Sequence, residues 1–413
     1  MSDSSGHALA RRWPAEGTTR LPYWIYTDPS IYALEQERIF RGRHWNYVGL
    51  ECELPNTGDY KRTFVGDTSV VVVRAANGGI NALINRCSHR GAQFCQTSLG
   101  TTASFTCPYH QWSFALDGRC IGVPFRRGLR GKGGYAATFQ PSEHSLQSLA
   151  VATRGGVIFA SFAHDMPPIE AYIGQVMLPL FDREFDGRAL EVIGYSRQRI
   201  PGNWKLIIEN LVDPYHTSLL HTFFATFGLF RPDQPSSTAT DATGMHSAQI
   251  TVRGEQVLNE STREMKNFRA DLKLADPRLL DTVREYSGDP TAVMSVIWPN
   301  VILQQQSNTL ATRQIVPRGP AEFDLHWTFF GYADDADDLR RRRVMQANLM
   351  GPAGYISMED GEIIERQQTG FEKHADAAAV VELGDDLGNT DHMVTEGLIR
   401  AMYGPYRTVM GLR

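Results

Sequence analysis

Residues 85–91 (NRCSHRG) and 106–112 (TCPYHQW) each contain one cysteine and one histidine, separated by one residue in the first stretch and by two in the second. Thiolates are soft, charged donors that hold iron–sulfur clusters, and a pair of neutral imidazoles on one iron raises its reduction potential. A structural zinc ion could bind the same four donors, although zinc fingers typically place cysteines and histidines in like pairs. The two stretches therefore predict a metal centre, and they favour an electron-carrying cluster over zinc.

The four candidate ligands of this centre are Cys87, His89, Cys107 and His110. Five cysteines in 413 residues are an odd and sparse set, which argues against a disulfide framework. Cys95 and Cys120 have no motif partner, and we expect them to be small apolar packing residues.

Short runs of β-branched residues surround the two loops. TSVVVVRA and INALINRC are typical of strands, and WSFALDGRCIGV contains two strand-like runs around Asp117-Gly118, a favoured two-residue hairpin turn. We therefore predict a compact antiparallel β domain over 44–160. Residues 1–43 and 161–413 would form a second domain.

The second domain mixes helices and strands. Thr27-Asp28-Pro29 offers an N-cap and a first-turn proline for a helix that continues through SIYALEQERIFRGR. Farther along, VMSVIWPNVILQQQSNTLATRQIVP and FDLHWTFFGYA predict antiparallel strands between helical segments. The fold class predicted for the chain is α+β.

A second group of candidate metal ligands lies in the apolar segment GNWKLIIENLVDPYHTSLLHTFF, which contains Asp213, His216 and His221. Asp213 and His216 would share one face of a helix, but His216 and His221 would lie about 140° apart around a regular helix. Because Pro214 also removes a backbone donor, we expect a distorted helix or a π-bulge at this point.

Two histidines and one carboxylate form the facial triad that binds Fe(II) and leaves the opposite face open. Asp213 is the carboxylate closest in sequence to the histidines. The distant segment ISMEDGEIIERQQTGF offers three more: Glu359, Asp360 and Glu362. The residues alone do not choose among these four.

Charge and hydropathy exclude several function classes. A net charge of -5 argues against a broad nucleic-acid surface, which needs a basic stripe to neutralise phosphates. No apolar run reaches transmembrane length, and no apolar stretch follows Arg11 and Arg12 in the N-terminal segment, so neither a membrane span nor a signal peptide is expected. The prediction is a cytoplasmic protein. No glycine-rich dinucleotide fingerprint follows a strand, so its redox partners would be separate proteins.

The two constellations resemble a known family. Cys-x-His paired with Cys-x-x-His resembles the Rieske domain, a small antiparallel β structure with two cluster-binding loops. Asp-x-x-His-x-x-x-x-His, followed much later by Asp-Gly-Glu, resembles the large (α) subunits of aromatic-ring-hydroxylating oxygenases over nearly the whole chain. The resemblance implies a [2Fe-2S] cluster, a mononuclear Fe(II) and a catalytic domain with helices on a curved antiparallel sheet. That arrangement is the helix-grip fold of START and Bet v1-like proteins.

The same resemblance implies roles for individual residues. His216, His221 and Asp360 would bind the mononuclear iron. Asp213 would instead connect this site with a cluster histidine on a neighbouring subunit, corresponding to His110, and so serve inter-subunit electron transfer. Electrons would come from NADH through a separate reductase and ferredoxin. Subunits of this type usually form trimers, commonly with small β subunits (α3β3).

The stretches VPFRRG, RIPGNWKL, LLHTFFATFGL and QANLMGPAGYISMEDGE most resemble the salicylate hydroxylase and anthranilate dioxygenase group, which acts on aromatic carboxylates. Such a substrate needs a cation, and Arg313 lies on a predicted strand among apolar neighbours, where an unpaired guanidinium is costly. A structural ion pair with an acidic residue is the alternative role. Phe224 is a candidate for the pocket wall, with core packing as its alternative. Terephthalate dioxygenase is somewhat less similar, and its group has a basic residue near the position aligned with Met393, so Met393 favours a monocarboxylate.

The predicted function is therefore hydroxylation or cis-dihydroxylation of an aromatic acid, such as salicylate or anthranilate, with O2. Two alternatives stay open from the sequence. One is a Rieske monooxygenase or demethylase built from α subunits alone, and the other is a zinc-stabilised binding protein without turnover.

Overall fold

The computed structural model describes residues 11–231, 234–253, 265–266 and 268–412. The first ten residues of the N-terminal segment, on which the expectation of no signal peptide partly depends, lie outside the described residues. The chain divides into two compact units, one formed by Phe40–Pro167 and the other by Met1–Ile39 with Pro168–Arg413. None of the described helices is both long enough and apolar enough to cross a membrane.

The N-terminal helix begins where the sequence predicts. After strand β1 (Arg20–Pro22), a helix extends over Pro29–Glu35 and continues as a π-helical turn over Gln36–Phe40. The carboxylate of Asp28 accepts the backbone N–H of Ser30 at 2.8 Å and thereby caps the helix. The predicted cap and helix start are confirmed.

The unit Phe40–Pro167 is built from antiparallel strands. They are β2 (Asn46–Leu50), β3 (Asp59–Val65), β4 (Thr68–Arg74), β5 (Ile80–Ile84), β6 (Leu99–Thr101), β7 (Phe105–Thr106), β8 (Ser113–Phe114), β9 (Cys120–Gly122), β10 (Ser148–Arg154) and β11 (Val157–Ser161). The larger sheet has the order β2-β11-β10-β5-β4-β3-β6, and the smaller one has the order β7-β8-β9. The two Cys-His stretches are the loops that follow β5 and join β7 to β8.

The predicted turn at Asp117-Gly118 joins β8 to β9, but its loop has three residues rather than two, because the N–H of Ala115 donates to the carbonyl of Arg119 at 2.9 Å and Leu116 lies in the loop as well. The N–H of Gly118 donates to the carbonyl of Ala115 at 2.9 Å. Gly118 has a φ of +87°, and a Cβ there would lie 2.9 Å from the side chain of Leu83, so the turn needs glycine. Cys95 and Cys120 are buried in the apolar core beside this turn, as expected for packing residues.

The second unit contains one long antiparallel sheet. Its strands are β12 (Leu190–Ile200), β13 (Ser236–Thr240), β14 (Ser247–Thr251), β15 (Ala292–Ile297), β16 (Val301–Gln306), β17 (Thr309–Gly319) and β18 (Glu322–Tyr332). They lie in the order β12-β18-β17-β16-β15-β14-β13, and the sheet curls into a half-barrel. A further strand, β19 (Ala378–Val380), pairs with β1.

Helices cover this sheet. The described helices of the unit, besides the N-terminal one, are Trp24–Thr27, Ile169–Ile173, Leu178–Glu184, Trp204–Leu211, Pro214–Leu220, Thr222–Phe227, Asp337–Met350, Tyr355–Lys373 and Gly397–Met410. Trp204–Leu211 contacts β15 and β17, and Tyr355–Lys373 contacts β12. The predicted α+β class, with a curved antiparallel sheet and helices, is confirmed.

Candidate metal centres and substrate cavity

The first Cys-His loop is a tight turn closed by two backbone hydrogen bonds. The N–H of Cys87 donates to the carbonyl of Ala92 at 2.8 Å, and the N–H of Gly91 donates to the carbonyl of Cys87 at 2.9 Å. Gly91 has a φ of +78°. This left-handed conformation, which glycine adopts without strain, turns the chain back toward the sheet.

The second loop repeats the same turn. The N–H of Cys107 donates to the carbonyl of Trp112 at 2.8 Å, and the N–H of Gln111 donates to the carbonyl of Cys107 at 2.9 Å. Gln111, at the position equivalent to Gly91, has a φ of +57°. The histidine is the third residue of the first turn and the fourth residue of the second. The two turns therefore have the same backbone hydrogen bonds although the Cys–His spacing differs by one residue.

The four candidate cluster ligands come together at the tips of these turns. Cys87 and Cys107 are 3% and 2% exposed, and the rings of His89 and His110 lie 4.6 Å apart. The ring of Trp112 stacks on His89 at 4.7 Å and covers one side of the group. The two predicted histidines therefore lie side by side, and so do the two predicted cysteines.

Unsatisfied donor atoms show that these residues fit a bound cluster. The Nδ1 atoms of His89 and His110 are buried and make no hydrogen bond with any described residue. Buried polar atoms nearly always have a partner, so two unpartnered nitrogens side by side mark a missing ligand. Burial raises the pKa of the Cys87 thiol, and the adjacent Cys107 raises it further, while the backbone N–H of His89 opposes the shift. A cationic centre would remove this penalty by binding both thiolates.

In the second unit, the helical segment that contains the other two histidines is interrupted twice. The helix Trp204–Leu211 ends, Asp213 caps Pro214–Leu220, and His221 separates that helix from Thr222–Phe227. His221 has an extended conformation with φ -84° and ψ 94°. The expected irregularity is present, but it is a pair of helix breaks rather than a π-bulge.

These breaks bring His216 and His221 to Asp360 on the helix Tyr355–Lys373. Both Nε2 atoms face one carboxylate oxygen, with distances to Oδ1 of Asp360 of 3.6 Å from His216 and 3.2 Å from His221. One donor atom from each of the three residues lies within 4.8 Å of the others. Two imidazoles and one carboxylate in this arrangement can hold a divalent iron on one side and leave its other side open.

The electrostatics of this group also fit a cation. Burial would lower the pKa of His216, but Asp213 and Asp360 outweigh it and raise the pKa to about 10. The same histidines hold the pKa of Asp360 far below its usual range, against the effect of burial. The group therefore favours positive charge at the position where a divalent cation would bind.

Glu359, Asp360 and Glu362, which were equivalent candidates for the third metal ligand from the residues alone, have different surroundings. Asp360 is 7% exposed and faces both histidines. The carboxylate of Glu359 lies 2.8 Å from Nδ1 of His221, on the other side of that ring. Glu362 points to the surface and pairs with Arg366. Asp213 contacts His216 but is outside the group of three.

Asn210 is a residue of this site that the sequence analysis did not single out. Its amide nitrogen donates to Oδ1 of Asp360 at 3.1 Å and lies 3.4 Å from Nε2 of His216. No spacing rule connects Asn210 with these residues, because its helix ends before the histidines. Only the polar side chain inside an apolar helix could have drawn attention to it.

A cavity opens on the same three residues. Its wall includes the apolar side chains of Phe224, Phe230, Met350 and Ile356 together with Arg313. Phe224 is 3% exposed, and its ring lies 5.2 Å from that of His221. Phe224 belongs both to the cavity wall and to a buried apolar cluster, so the two roles considered for it coincide.

Arg313 on β17 reaches the cavity without an acidic partner. Its Nε donates to Oε1 of Gln304 at 2.7 Å, its Nη2 donates to the same oxygen, and its Cζ lies 4.1 Å from the ring centre of Trp327. Burial lowers the pKa of Arg313 to about 10, and Asp360 opposes this. No described carboxylate pairs with it, so the structural ion pair considered as an alternative is absent from the described residues.

A second guanidinium lines the cavity, which the sequence analysis also missed. Arg253 follows β14, and its Nη1 donates to the carbonyl of Leu280 at 2.8 Å. Among the described residues, no carboxylate pairs with Arg253. Met393, by contrast, is 1% exposed and packs in the apolar cluster with Phe224.

Two centres are thus defined: a Cys2His2 group on two loops of a β domain, and a two-histidine, one-carboxylate group under a curved sheet. The first donor set suits a two-iron, two-sulfur cluster of the Rieske type, and the second suits non-haem iron. These features define the class of Rieske non-haem iron oxygenases.

Comparison with known proteins identifies the family within this class. Residues 44–138 match the model for the Rieske [2Fe-2S] domain, and residues 187–411 match the model for the ring hydroxylating alpha subunit (catalytic domain). The chain belongs to the ring-hydroxylating oxygenase α-subunit family. It is accordingly an oxygenase that uses a Rieske cluster and a mononuclear iron. Members of this family are oxygenase components that work with reductase and ferredoxin partners.

Curated relatives match the chain over almost its whole length. The large oxygenase component of salicylate 5-hydroxylase from a Ralstonia species is 51% identical over 97% of this chain and 96% of its own. The large subunit of anthranilate 1,2-dioxygenase from Burkholderia cepacia is 45% identical over 97% of this chain and 95% of its own.

A solved structure with the same fold is naphthalene 1,2-dioxygenase from a Rhodococcus species, bound to indole. It has a TM-score of 0.78 at 22% identity, with 98% of this chain and 97% of that chain covered. At this identity the likeness concerns the fold alone.

Proposed function

We propose that this protein is the terminal oxygenase large subunit of a system that hydroxylates or cis-dihydroxylates an aromatic carboxylic acid, such as salicylate or anthranilate. The observation that carries this proposal is the buried guanidinium of Arg313. It reaches the cavity lined by His216, His221 and Asp360, and it forms no ion pair with a described acid. A charged group without a counter-ion is costly inside a protein, and a substrate carboxylate would supply the counter-ion. The relatives named for salicylate and anthranilate act on acids of this kind.

For the residues, we propose that Cys87, His89, Cys107 and His110 hold the cluster, and that His216, His221 and Asp360 hold the mononuclear iron. When bound, the iron supplies oxygen activation and the cluster supplies electrons. The chain's own task is to orient the substrate. Arg313 would bind the carboxylate of the substrate. The apolar wall would contact the aromatic ring and exclude water, and it is formed by Phe224, Phe230, Met350 and Ile356.

We further propose that Asp213 couples this site to a cluster histidine, equivalent to His110, on a neighbouring subunit. The position of its carboxylate, 3.5 Å from Nδ1 of His216, supports this role, since an acid beside a ligand histidine can connect that ligand with a histidine of the neighbouring subunit. The assembly would be a trimer of α subunits with small β subunits, α3β3. Electrons would pass from NADH through the reductase and ferredoxin, and the five free cysteines fit a reducing, cytoplasmic setting.

The test of the substrate class is a depletion assay. The purified protein, supplied with a reductase, a ferredoxin, NADH and O2, is incubated with salicylate, anthranilate, halobenzoates, indoleacetate and the amide of each acid. We expect consumption of at least one acid and of none of the amides, because only the acid provides the anion. Equal consumption of acids and amides would overturn the carboxylate proposal.

The test of the assembly is purification of the protein from its source cells, followed by measurement of the particle mass and of the chains that co-purify. An α3β3 mass is the expected result. A stable, active particle of α subunits alone would favour the alternative of an α-only monooxygenase or demethylase.

A further inference from the structure

The two acidic neighbours on the helix Tyr355–Lys373 hold His221 from opposite sides. Nε2 of His221 lies 3.2 Å from Oδ1 of Asp360, and Nδ1 lies 2.8 Å from Oε2 of Glu359. Successive residues of a helix point about 100° apart, so adjacent side chains diverge and can reach two sides of one ring. The histidine has both nitrogens engaged by consecutive residues.

The burial of the two partners differs. The side chain of His221 is 2% exposed, whereas that of Glu359 is 22% exposed. Glu359 also lines a surface groove together with Tyr355, Met358 and Glu362. It has no other hydrogen-bonding or ionic partner among the described residues. A partly exposed carboxylate therefore reaches inward to a single buried imidazole.

We propose that Glu359 is a positioning residue for the mononuclear iron site. Its carboxylate accepts the Nδ1–H of His221, which leaves Nε2, the nitrogen that faces Asp360, as the atom that would bind the metal. A carboxylate on the far nitrogen also makes an imidazole a stronger donor to a metal. Glu359 thus stabilises iron in this site without touching it, a role separate from the ligands themselves.

This inference rests on the proposed iron site, and it explains why two adjacent acids occur there. An acid at position 359 cannot join the ligand group, because it lies on the Nδ1 side of a ring whose Nε2 faces the group. The two histidines differ in this respect: Nδ1 of His221 lies 2.8 Å from Glu359, whereas Nδ1 of His216 lies 3.5 Å from Asp213 and makes no hydrogen bond with a described residue.

The test compares Glu359→Ala and Glu359→Gln with matched changes at Glu362, which lies on the same helix and pairs with Arg366 at the surface. Each protein is loaded with Fe(II), and iron release into a colorimetric chelator is followed without oxygen. The visible absorption of Co(II) in the same site is recorded as well. Circular dichroism and the midpoint of thermal unfolding report whether each variant is folded.

We expect Glu359→Ala to lower the affinity for iron by about ten- to one-hundred-fold. Glu359→Gln should lower it less, because its amide oxygen still accepts the Nδ1–H but carries no charge. Both variants should shift the Co(II) spectrum. The Glu362 variants should behave as the unmodified protein in both measurements.

Iron release and Co(II) spectra unchanged in both Glu359 variants would overturn the inference. If Glu359→Ala does not fold, Glu359→Gln, which has nearly the same shape, decides alone. Failure of the proposed iron site itself would look different. In that case the unmodified protein would contain no iron beyond the cluster, and His216→Ala would change nothing.

Discussion

Asp213 contacts His216 at two points: its Oδ1 accepts the backbone N–H of His216 at 3.3 Å, and its Oδ2 lies 3.5 Å from Nδ1 of the same residue. The first contact caps the helix Pro214–Leu220, and the second places a negative charge beside the imidazole without a hydrogen bond to Nδ1. One side chain therefore both begins the helix that carries His216 and helps to raise the pKa of its ring. A substitution that separates these two roles tests the electron-transfer proposal.

Asp213→Asn should retain both metals and lose turnover. Asparagine is as good an N-cap as aspartate, so the helix should still begin at Pro214. The charge next to His216 is lost, and we expect turnover to fall by about one-hundred-fold. The measurement is iron and sulfide content, followed by the rate at which the reduced cluster is reoxidised with substrate and O2 present.

Asp213→Ala is the companion variant, because it removes the cap as well and should cost about 1 kcal/mol of stability. Full turnover in Asp213→Asn with normal metal content would show that Asp213 has no part in electron transfer.

Arg313→Gln should weaken binding of aromatic acids. A hydrogen bond to a charged group contributes about 1.5–3 kcal/mol, so kcat/KM for an acid substrate should fall by about ten- to one-hundred-fold. The effect should lie mainly in KM, since the carboxylate is held in the ground state as well as in the transition state. Arg269→Gln, at an exposed position, is the control. An equal loss in both variants would contradict the substrate contact.

Arg253→Gln should discriminate between acids with one and two anionic groups. A monocarboxylate satisfies Arg313 and leaves Arg253 free, so its KM should change by less than about three-fold. For a dicarboxylate that reaches both arginines, KM should rise about ten-fold. Steady-state kinetics with a monocarboxylate and a dicarboxylate of the same ring measures the difference. Equal changes for both would mean that Arg253 does not contact the substrate.

Glu209→Gln should stabilise the protein above neutral pH. Burial raises the pKa of Glu209 from 4.5 to about 7, while hydrogen bonds from Tyr403 and Tyr26 oppose the shift. Folding therefore favours the protonated acid. The contribution of protonated Glu209 to the free energy of unfolding is fully present below pH 4.5, and it is lost as the pH rises through about 7.

Glutamine imitates the protonated form, so the variant should gain about 2 kcal/mol at pH 8 and little at pH 5. Chemical denaturation of the two proteins at these pH values measures the gain, with the exposed Glu143→Gln as control. A gain of equal size at both pH values would show that the titration of Glu209 is not its cause.

Some features could be predicted from the sequence because their determinants are local. Asp28 and Pro29 define a helix start, and the Asp117-Gly118 pair defines a hairpin turn. Other features depended on residues that the sequence places far apart. The partner of Arg313 is Gln304 on the neighbouring strand, not an acid, and nothing in the spacing of the two residues predicted that contact.

The sequence by itself determined the cluster loops, since each of them closes on a turn of six residues whose hydrogen bonds and ligands are local. It also indicated that His216 and His221 cannot share a regular helix. Only the tertiary structure decided which carboxylate joins them. Asn210 and Asp360 are 150 residues apart, and they meet because the helix Tyr355–Lys373 packs beside the broken helices. Side-chain convergence of this kind arises from packing, which local spacing does not encode.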